Sequence, residues 1–312
     1  MPGQREGSPR PDTTATIGSP ASASATTATF DYDGAFGRNL GWVTPEEQRT
    51  LRGKRIAIAG LGGVGGLHLL TLARLGIGRF RLAEFDRYDL ANFNRQVGAT
   101  MSTLGLPKLD VMTRMARDVN PELEIEAFGG GVDESNLDAF LDGVDIFVDG
   151  LDFFAFDTRE LVFGACRARG IPAVTVAPLG MGAALLNFVP GGMSFADYFG
   201  FARCPDSERP LRFLLGLAPA MLHRRYLADM SYVNLESGRG PSTGMACQIC
   251  AGVAAAECLK VLLGRGDVVT APRGIHFDAY RNRLVRTWRP WGWRNPLQRL
   301  ITAIARRQIA RR

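Results

Sequence analysis

Cysteine and histidine are scarce in this chain, five and three among 312 residues. So few thiols in so long a chain exclude a disulfide framework. The histidines stand alone at positions 68, 223 and 276, without the partners that acid–base work requires, and packing accounts for each. No run of eighteen apolar residues occurs, so no membrane-spanning helix is expected. No internal repeat is found. A basic-then-apolar leader is also missing, which sets the expectation of a cytoplasmic protein. Acidic residues are absent from 281–312, where ten arginines give +10 and leave −4 for the remainder of a chain of net charge +6. The basicity thus belongs to one end, where it points to an anionic partner, a membrane surface or RNA.

What is present is a hydrophobic content of 46%, ample for the core of one large domain. Residues 1–29 are rich in Ser, Thr, Ala, Gly and Pro and are expected to be disordered. The organising stretch lies at 55–96. A short apolar run from Arg55 to Ala59 ends at Gly60, glycines 62, 63, 65 and 66 follow, and an apolar stretch runs on to Leu75 before Gly76. This reads as strand, glycine turn and buried helix. Glycines let backbone N–H groups approach phosphate oxygens at a helix N-terminus, so Gly60, Gly62, Gly63 and Gly65 are candidate phosphate-binding residues. Glu84, at the end of the next strand and about twenty residues on, is placed to accept from ribose hydroxyls.

The alternation continues. Thr44-Pro45-Glu46-Glu47 marks a helix start. A helix is expected from Lys108 to Val119, a strand over 123–128, a helix over 136–141 and a strand over 144–149. A helix over 158–169, strands over 173–177 and 183–189 and a long helix over 244–263 follow. Residues 276–288 read as a closing hairpin. Repeated strand–helix units predict an α/β, Rossmann-like, mostly parallel sheet with helices on both faces and an antiparallel C-terminal extension. The expected organisation is a disordered segment 1–29, a nucleotide-binding domain 30–288 and a basic amphipathic tail 289–312. Periodicity is poor over 193–244, where Phe195, Tyr198, Phe199 and Phe201 are candidates to cover a cleft and 211–222 suits one helix.

The glycine fingerprint alone would suit a nicotinamide- or flavin-dependent oxidoreductase, or a non-catalytic nucleotide-binding scaffold. The residues after the second strand discriminate. Arg95 supplies a fork for phosphate oxygens. Lys108 is a cation at a helix start, where it opposes the helix dipole unless a polyanion or nearby Asp110 offsets it. Asp152, past the Asp149 strand end, is a carboxylate able to hold Mg2+. Two cations, a metal-binding acid and a glycine loop describe ATP better than NAD.

These motifs, taken in order as Gly60-Leu61-Gly62-Gly63-Val64-Gly65, Glu84-Phe85-Asp86, Asn92-x-x-Arg95-Gln96, Lys108 and Asp152, resemble the ubiquitin-activating-enzyme-like family, the ThiF/MoeB/HesA group. Leu75-Gly76-Ile77-Gly78 and the stretch from Ala255 to Lys260 fit as well, and the resemblance covers about residues 36–286. It implies an ATP- and Mg2+-dependent adenylyltransferase acting on the C-terminus of a ubiquitin-like or sulfur-carrier protein. It further implies triphosphate binding by Asn92, Arg95 and Lys108, Mg2+ on Asp152, and a homodimer in which Arg38 reaches the partner's nucleotide. The tRNA threonylcarbamoyladenosine dehydratases, which use the same fold on a tRNA base's carboxylate, are the alternative within the group. Glu84 stands where the group usually has Asp, Phe153 where it has Asn, and Arg159 lies slightly further along than expected.

Members often carry a nucleophilic cysteine before the last helix, and Cys204 beside Arg203 is the candidate, against a spare thiol on a loop. Cys247 and Cys250 have zinc-ligand spacing, but no second pair exists and they fall in a helix, which disfavours zinc. In the tail, Leu297, Leu300, Ile301, Ile304 and Ile309 share a face among arginines, close to Trp288, Trp291 and Trp293. That pattern suits a membrane-surface anchor, a helix packed on the body, or RNA contact.

Overall fold

A computed structural model describes residues 29–235, 238 and 240–309; apart from Thr29, the segment expected to be disordered lies outside the described residues. Helices α1 (Tyr32–Phe36) and α2 (Pro45–Gly53) precede strand β1 (Arg55–Ala59). The start of α2 is fixed by a reciprocal cap. The Thr44 hydroxyl accepts the Glu47 N–H at 3.1 Å, and the Glu47 carboxylate accepts the Thr44 N–H at 2.8 Å. Then come α3 (Gly65–Arg74), β2 (Arg79–Ala83), α4 (Lys108–Val119), β3 (Glu124–Phe128), α5 (Leu137–Leu141) and β4 (Ile146–Asp149). The chain continues through α6 (Phe156–Ala168), β5 (Ala173–Leu179), β6 (Gly182–Phe188), α7 (Phe195–Phe199) and α8 (Arg209–Leu217). It closes with α9 (Gly244–Leu263), β7 (Arg273–Asp278), β8 (Arg283–Trp288) and α10 (Pro296–Ile309).

All eight strands join one sheet in the order β3-β2-β1-β4-β5-β6-β7-β8. The first five in that order run parallel, and β6, β7 and β8 are antiparallel. The path steps outward from β1 to β3, then returns to place β4 on the other side of β1. Such a reversal opens a crevice at the carboxyl ends of β1 and β4, where open α/β sheets bind their ligands.

Alternation along the strands sorts the core into two layers. Ile56 pairs with Phe80 and Ile146, and Ile58 with Leu82 and Val148; all six face α2, α3, α4 and α9. Ala57 and Ala59 point to the other face, where their small size leaves room for the rings of Phe140, Phe147, Phe156 and Phe163. The aromatics expected to cover a cleft belong to this second layer instead. Phe195, Tyr198 and Phe199 share one side of α7 and pack on Phe188 of β6, and Phe201 joins them against Phe213. The expected helix over 211–222 starts earlier and stops at Leu217, because the backbone leaves the helical region at Ala218, with φ −130° and ψ 65°. By length and composition α9 would suffice to cross a membrane, but it packs between α3 and the β5–β6 face. Its Glu257 is buried and accepts the Asn187 amide at 2.8 Å, which makes it a core helix.

Candidate nucleotide-binding site

β1 runs into Gly60, whose φ of +83° is a conformation open to glycine. A side chain here would strike the Gly150 carbonyl, and one on Gly65 would strike the Gly60 carbonyl. The bare backbones therefore let the loop pass directly over the segment that follows β4. Among the described residues, no protein acceptor takes the N–H groups of Gly62, Gly63 and Val64. Val64, at the head of α3, offers no side-chain cap either. A row of unpaired N–H groups at an uncapped helix N-terminus fits an anion.

The expected charged groups are linked to this cradle by contact, by chain neighbourhood or by hydrogen bonds. Arg95 is half-buried and lies against the loop, with its Cγ and Cδ 3.5 and 3.6 Å from where a Gly63 Cβ would stand. Its guanidinium is steadied by the Ala91 carbonyl at 2.8 Å and the Asn94 side chain at 3.0 Å. Asp152 follows Gly150 by two residues. It is exposed, and one carboxylate oxygen accepts the Phe154 N–H at 2.9 Å. Glu84 is more committed than its expected role suggested. Its carboxylate accepts the N–H groups of Leu61 at 2.7 Å and of Phe85 and Asp86 at 2.9 Å. That joins the glycine loop to the end of β2 and leaves about one of its four acceptor positions for a hydroxyl.

Lys108 is reached through the same links. It opens α4, is only 5% exposed, and its ammonium lies 3.0 Å from the Asp86 carboxylate. The cation at the helix start is therefore offset by Asp86 rather than by nearby Asp110.

Three further expected residues are placed as follows, and the help that Arg203 was expected to give Cys204 is corrected. The carbonyl of the Asn92 side chain, expected at the triphosphate, accepts the Asp89 N–H at 3.0 Å and closes a short turn, so only its NH2 group remains to donate. Arg38 is exposed beside the C-terminal end of α3, where Asn39 donates to the Arg74 and Leu75 carbonyls at 3.3 Å. The length of α3, about 15 Å, separates it from the cradle of its own chain. Cys204 is not helped by Arg203, whose guanidinium lies over the Trp293 ring. Burial pushes the Cys204 thiol up despite the opposing pull of Arg212 and Arg209, and it donates to the Phe201 carbonyl at 3.3 Å.

Three residues had no assigned role in the sequence reading. Arg159 is buried and pairs with the buried Asp149 at 2.9 Å while donating to the Leu151 and Asp152 carbonyls, each at 2.9 Å. It clamps the loop that presents Asp152. Gln96 is buried beside Gly62, and its side-chain oxygen has no partner among the described residues. Cys247, on the first turn of α9, sits with its sulfur 3.0 Å from where a Gly63 Cβ would stand. Burial pushes this thiol up, while a hydrogen bond with Ser242 and the charge of Arg95 pull it back. Only the Asn-x-x-Arg-Gln motif marked Gln96, and Cys247 was marked only by its spacing from Cys250, not for a place beside the loop.

Among the described residues, no three of His, Cys, Asp and Glu are grouped to hold a metal ion. A single carboxylate suits Mg2+ nonetheless, since that ion binds through one or two carboxylates together with substrate phosphates.

Sheet order, bare loop and adjacent Arg95 define an α/β protein with a candidate anion cradle at its switch point. The ThiF family model matches residues 36–299, and the chain belongs to the ThiF family. It is 32% identical to the SAMP-activating enzyme E1 of Haloferax volcanii over 237 residues, 76% of this chain and 77% of that one. It is 39% identical to the tRNA threonylcarbamoyladenosine dehydratase of Bacillus subtilis over 107 residues, 34% of this chain and 42% of that one. The chain spans about half the length of most of the curated relatives it matches. Among solved structures, E. coli MccB with ATP shares the fold at a TM-score of 0.58 and 20% identity, over 80% of this chain and 67% of that one.

Proposed function

We propose that the chain is an ATP-dependent adenylyltransferase that activates a carboxylate, the C-terminus of a ubiquitin-like or sulfur-carrier protein. The carboxylate oxygen attacks the α-phosphorus of ATP, the bond to the β-phosphate breaks, and pyrophosphate leaves an acyl-adenylate behind. The observation that carries this reading is the row of unpaired N–H groups at Gly62, Gly63 and Val64 with Arg95 against the loop. Such donors hold the phosphates and stabilise charge that develops in the transition state. Lys108, paired with Asp86, adds positive charge for the triphosphate, and Glu84 offers its remaining acceptor to a hydroxyl. Asp152 would hold Mg2+, which would neutralise phosphate charge. The likeness to the SAMP-activating enzyme supports a small protein as substrate, and the fold shared with MccB, solved with ATP, supports the nucleotide. In this reading Arg38, which is exposed, would serve a partner subunit in a homodimer, and its distance from its own cradle supports that role.

One observation favours a second reading: the identity of 39% to the dehydratase supports a modified tRNA base as the carboxylate. ATP–pyrophosphate exchange in the presence of Mg2+ tests both. Exchange stimulated by a small protein ending in glycine supports the first reading, and exchange stimulated only by tRNA carrying a base carboxylate supports the second. NADH binding without ATP binding refutes both and returns the chain to the oxidoreductases.

A further inference from the structure

Helix α10 carries its apolar stripe on the side away from the protein. Leu297, Leu300 and Ile304 fall on one face at helical spacing and are 62%, 57% and 47% exposed. The side facing the body is mixed, with half-buried Ile301 among polar groups. Gln298 is buried, the Thr302 hydroxyl donates to the Gln298 carbonyl at 2.8 Å, and Arg306 pairs with Glu208. A helix that exists to complete its own domain shows the reverse arrangement. Trp291, just ahead of the helix, is 68% exposed. The whole end of the chain carries ten arginines and no acid from 281 to 312.

We propose that this face docks on an anionic lipid bilayer and holds the protein peripherally at a membrane surface. Only that partner satisfies both halves of the observation. The boundary between headgroups and acyl chains takes the leucines, the isoleucine and the indole, and anionic headgroups take the arginines. A second copy of the chain would cover the stripe but would bring two sets of like charges together. RNA would meet the arginines and leave the apolar stripe in water.

The test is co-sedimentation of the full chain with vesicles of phosphatidylcholine and phosphatidylglycerol, and with phosphatidylcholine alone. The wild type is expected to bind the mixed vesicles, to bind the neutral ones far less, and to be released by salt. The variant Leu297→Asp/Leu300→Asp/Ile304→Asp is expected to bind on the order of tenfold or more weakly, because its apolar face is lost. Its ATP binding and thermal midpoint should be unchanged, since the positions are exposed. Should that variant misfold, Arg294→Glu/Arg299→Glu reads the charge half alone and is expected to lose its preference for the mixed vesicles. Equal sedimentation of wild type and variants, or of neither, overturns the proposal. A wild-type dimer that the apolar variant dissolves, without vesicle binding, overturns it in favour of a second copy. RNA binding that survives in the apolar variant, with no vesicle binding, overturns it in favour of nucleic acid.

Discussion

Arg159 holds a buried carboxylate and the carbonyls of the Asp152 loop at the same time, so one side chain ties the core to the site. Replacing it by Met keeps most of the volume but leaves Asp149 charged, buried and unpaired. We expect Arg159→Met to lose about 3–5 kcal/mol in urea unfolding and to lose activity through the displaced Asp152. Asp152→Asn, at an exposed position, should keep stability within about 0.5 kcal/mol while abolishing Mg2+-dependent exchange. Comparable stability in wild type and Arg159→Met would contradict the clamp. At this scale the sequence was legible where chemistry is local. The glycines, Arg95 and Asp152 could be placed from their neighbours. Lys108 was visible as a cation at a helix start, but its partner Asp86 lies 22 residues earlier, and no periodicity reveals that meeting. Cys247 met Gly63 only once α9 had folded back across α3.

The junction between β1 and α3 works because its backbone is bare at two points and open at a third. A methyl group on Gly65 has no space, since it would collide with the Gly60 carbonyl. At Gly62 the nearest atom is the Gln96 amide nitrogen at 3.7 Å, an ordinary contact. Gly65→Ala should therefore cost about 1–3 kcal/mol or more and remove nucleotide binding. Gly62→Ala should leave stability within about 0.5 kcal/mol and weaken nucleotide binding alone, because its methyl group stands beside the N–H row. Equal losses of stability in both variants would refute this account of the loop. Elements such as β1, α3, α4 and α9 could be read in advance because their apolar spacing is set within one turn or one strand. The region from Met193 to Gly244 could not. Its described residues are mostly short turns and aromatic contacts around α8, the one helix whose spacing could be read there, and α7 is too short to show a period.

Over the whole molecule the three histidines are all held neutral. Complete burial pushes His68 down to about 3. Burial and the neighbouring His223 take His276 to about 4 against the opposing pull of Asp278. His223 is lowered by burial, again against Asp278, and its ring lies 5.9 Å from that of His276. The unfolded chain binds these protons near pH 6.5, before the folded one does. Stability is therefore full above about pH 6.5 and falls as the pH drops towards 4, by up to about 1.4 kcal/mol per pH unit for each histidine. His68→Leu should flatten that slope by one histidine's share in thermal unfolding followed from pH 7 to 5; an unaltered slope would argue against a neutral buried His68. The central claim concerns the cradle and is tested most directly by calorimetric titration of the full chain with ATP and with AMP, both in Mg2+. The account predicts that ATP binds more tightly than AMP, and that the difference collapses in Arg95→Ala and Lys108→Ala. Equal affinity for the two nucleotides in the wild type, or an undiminished preference in both variants, would contradict it.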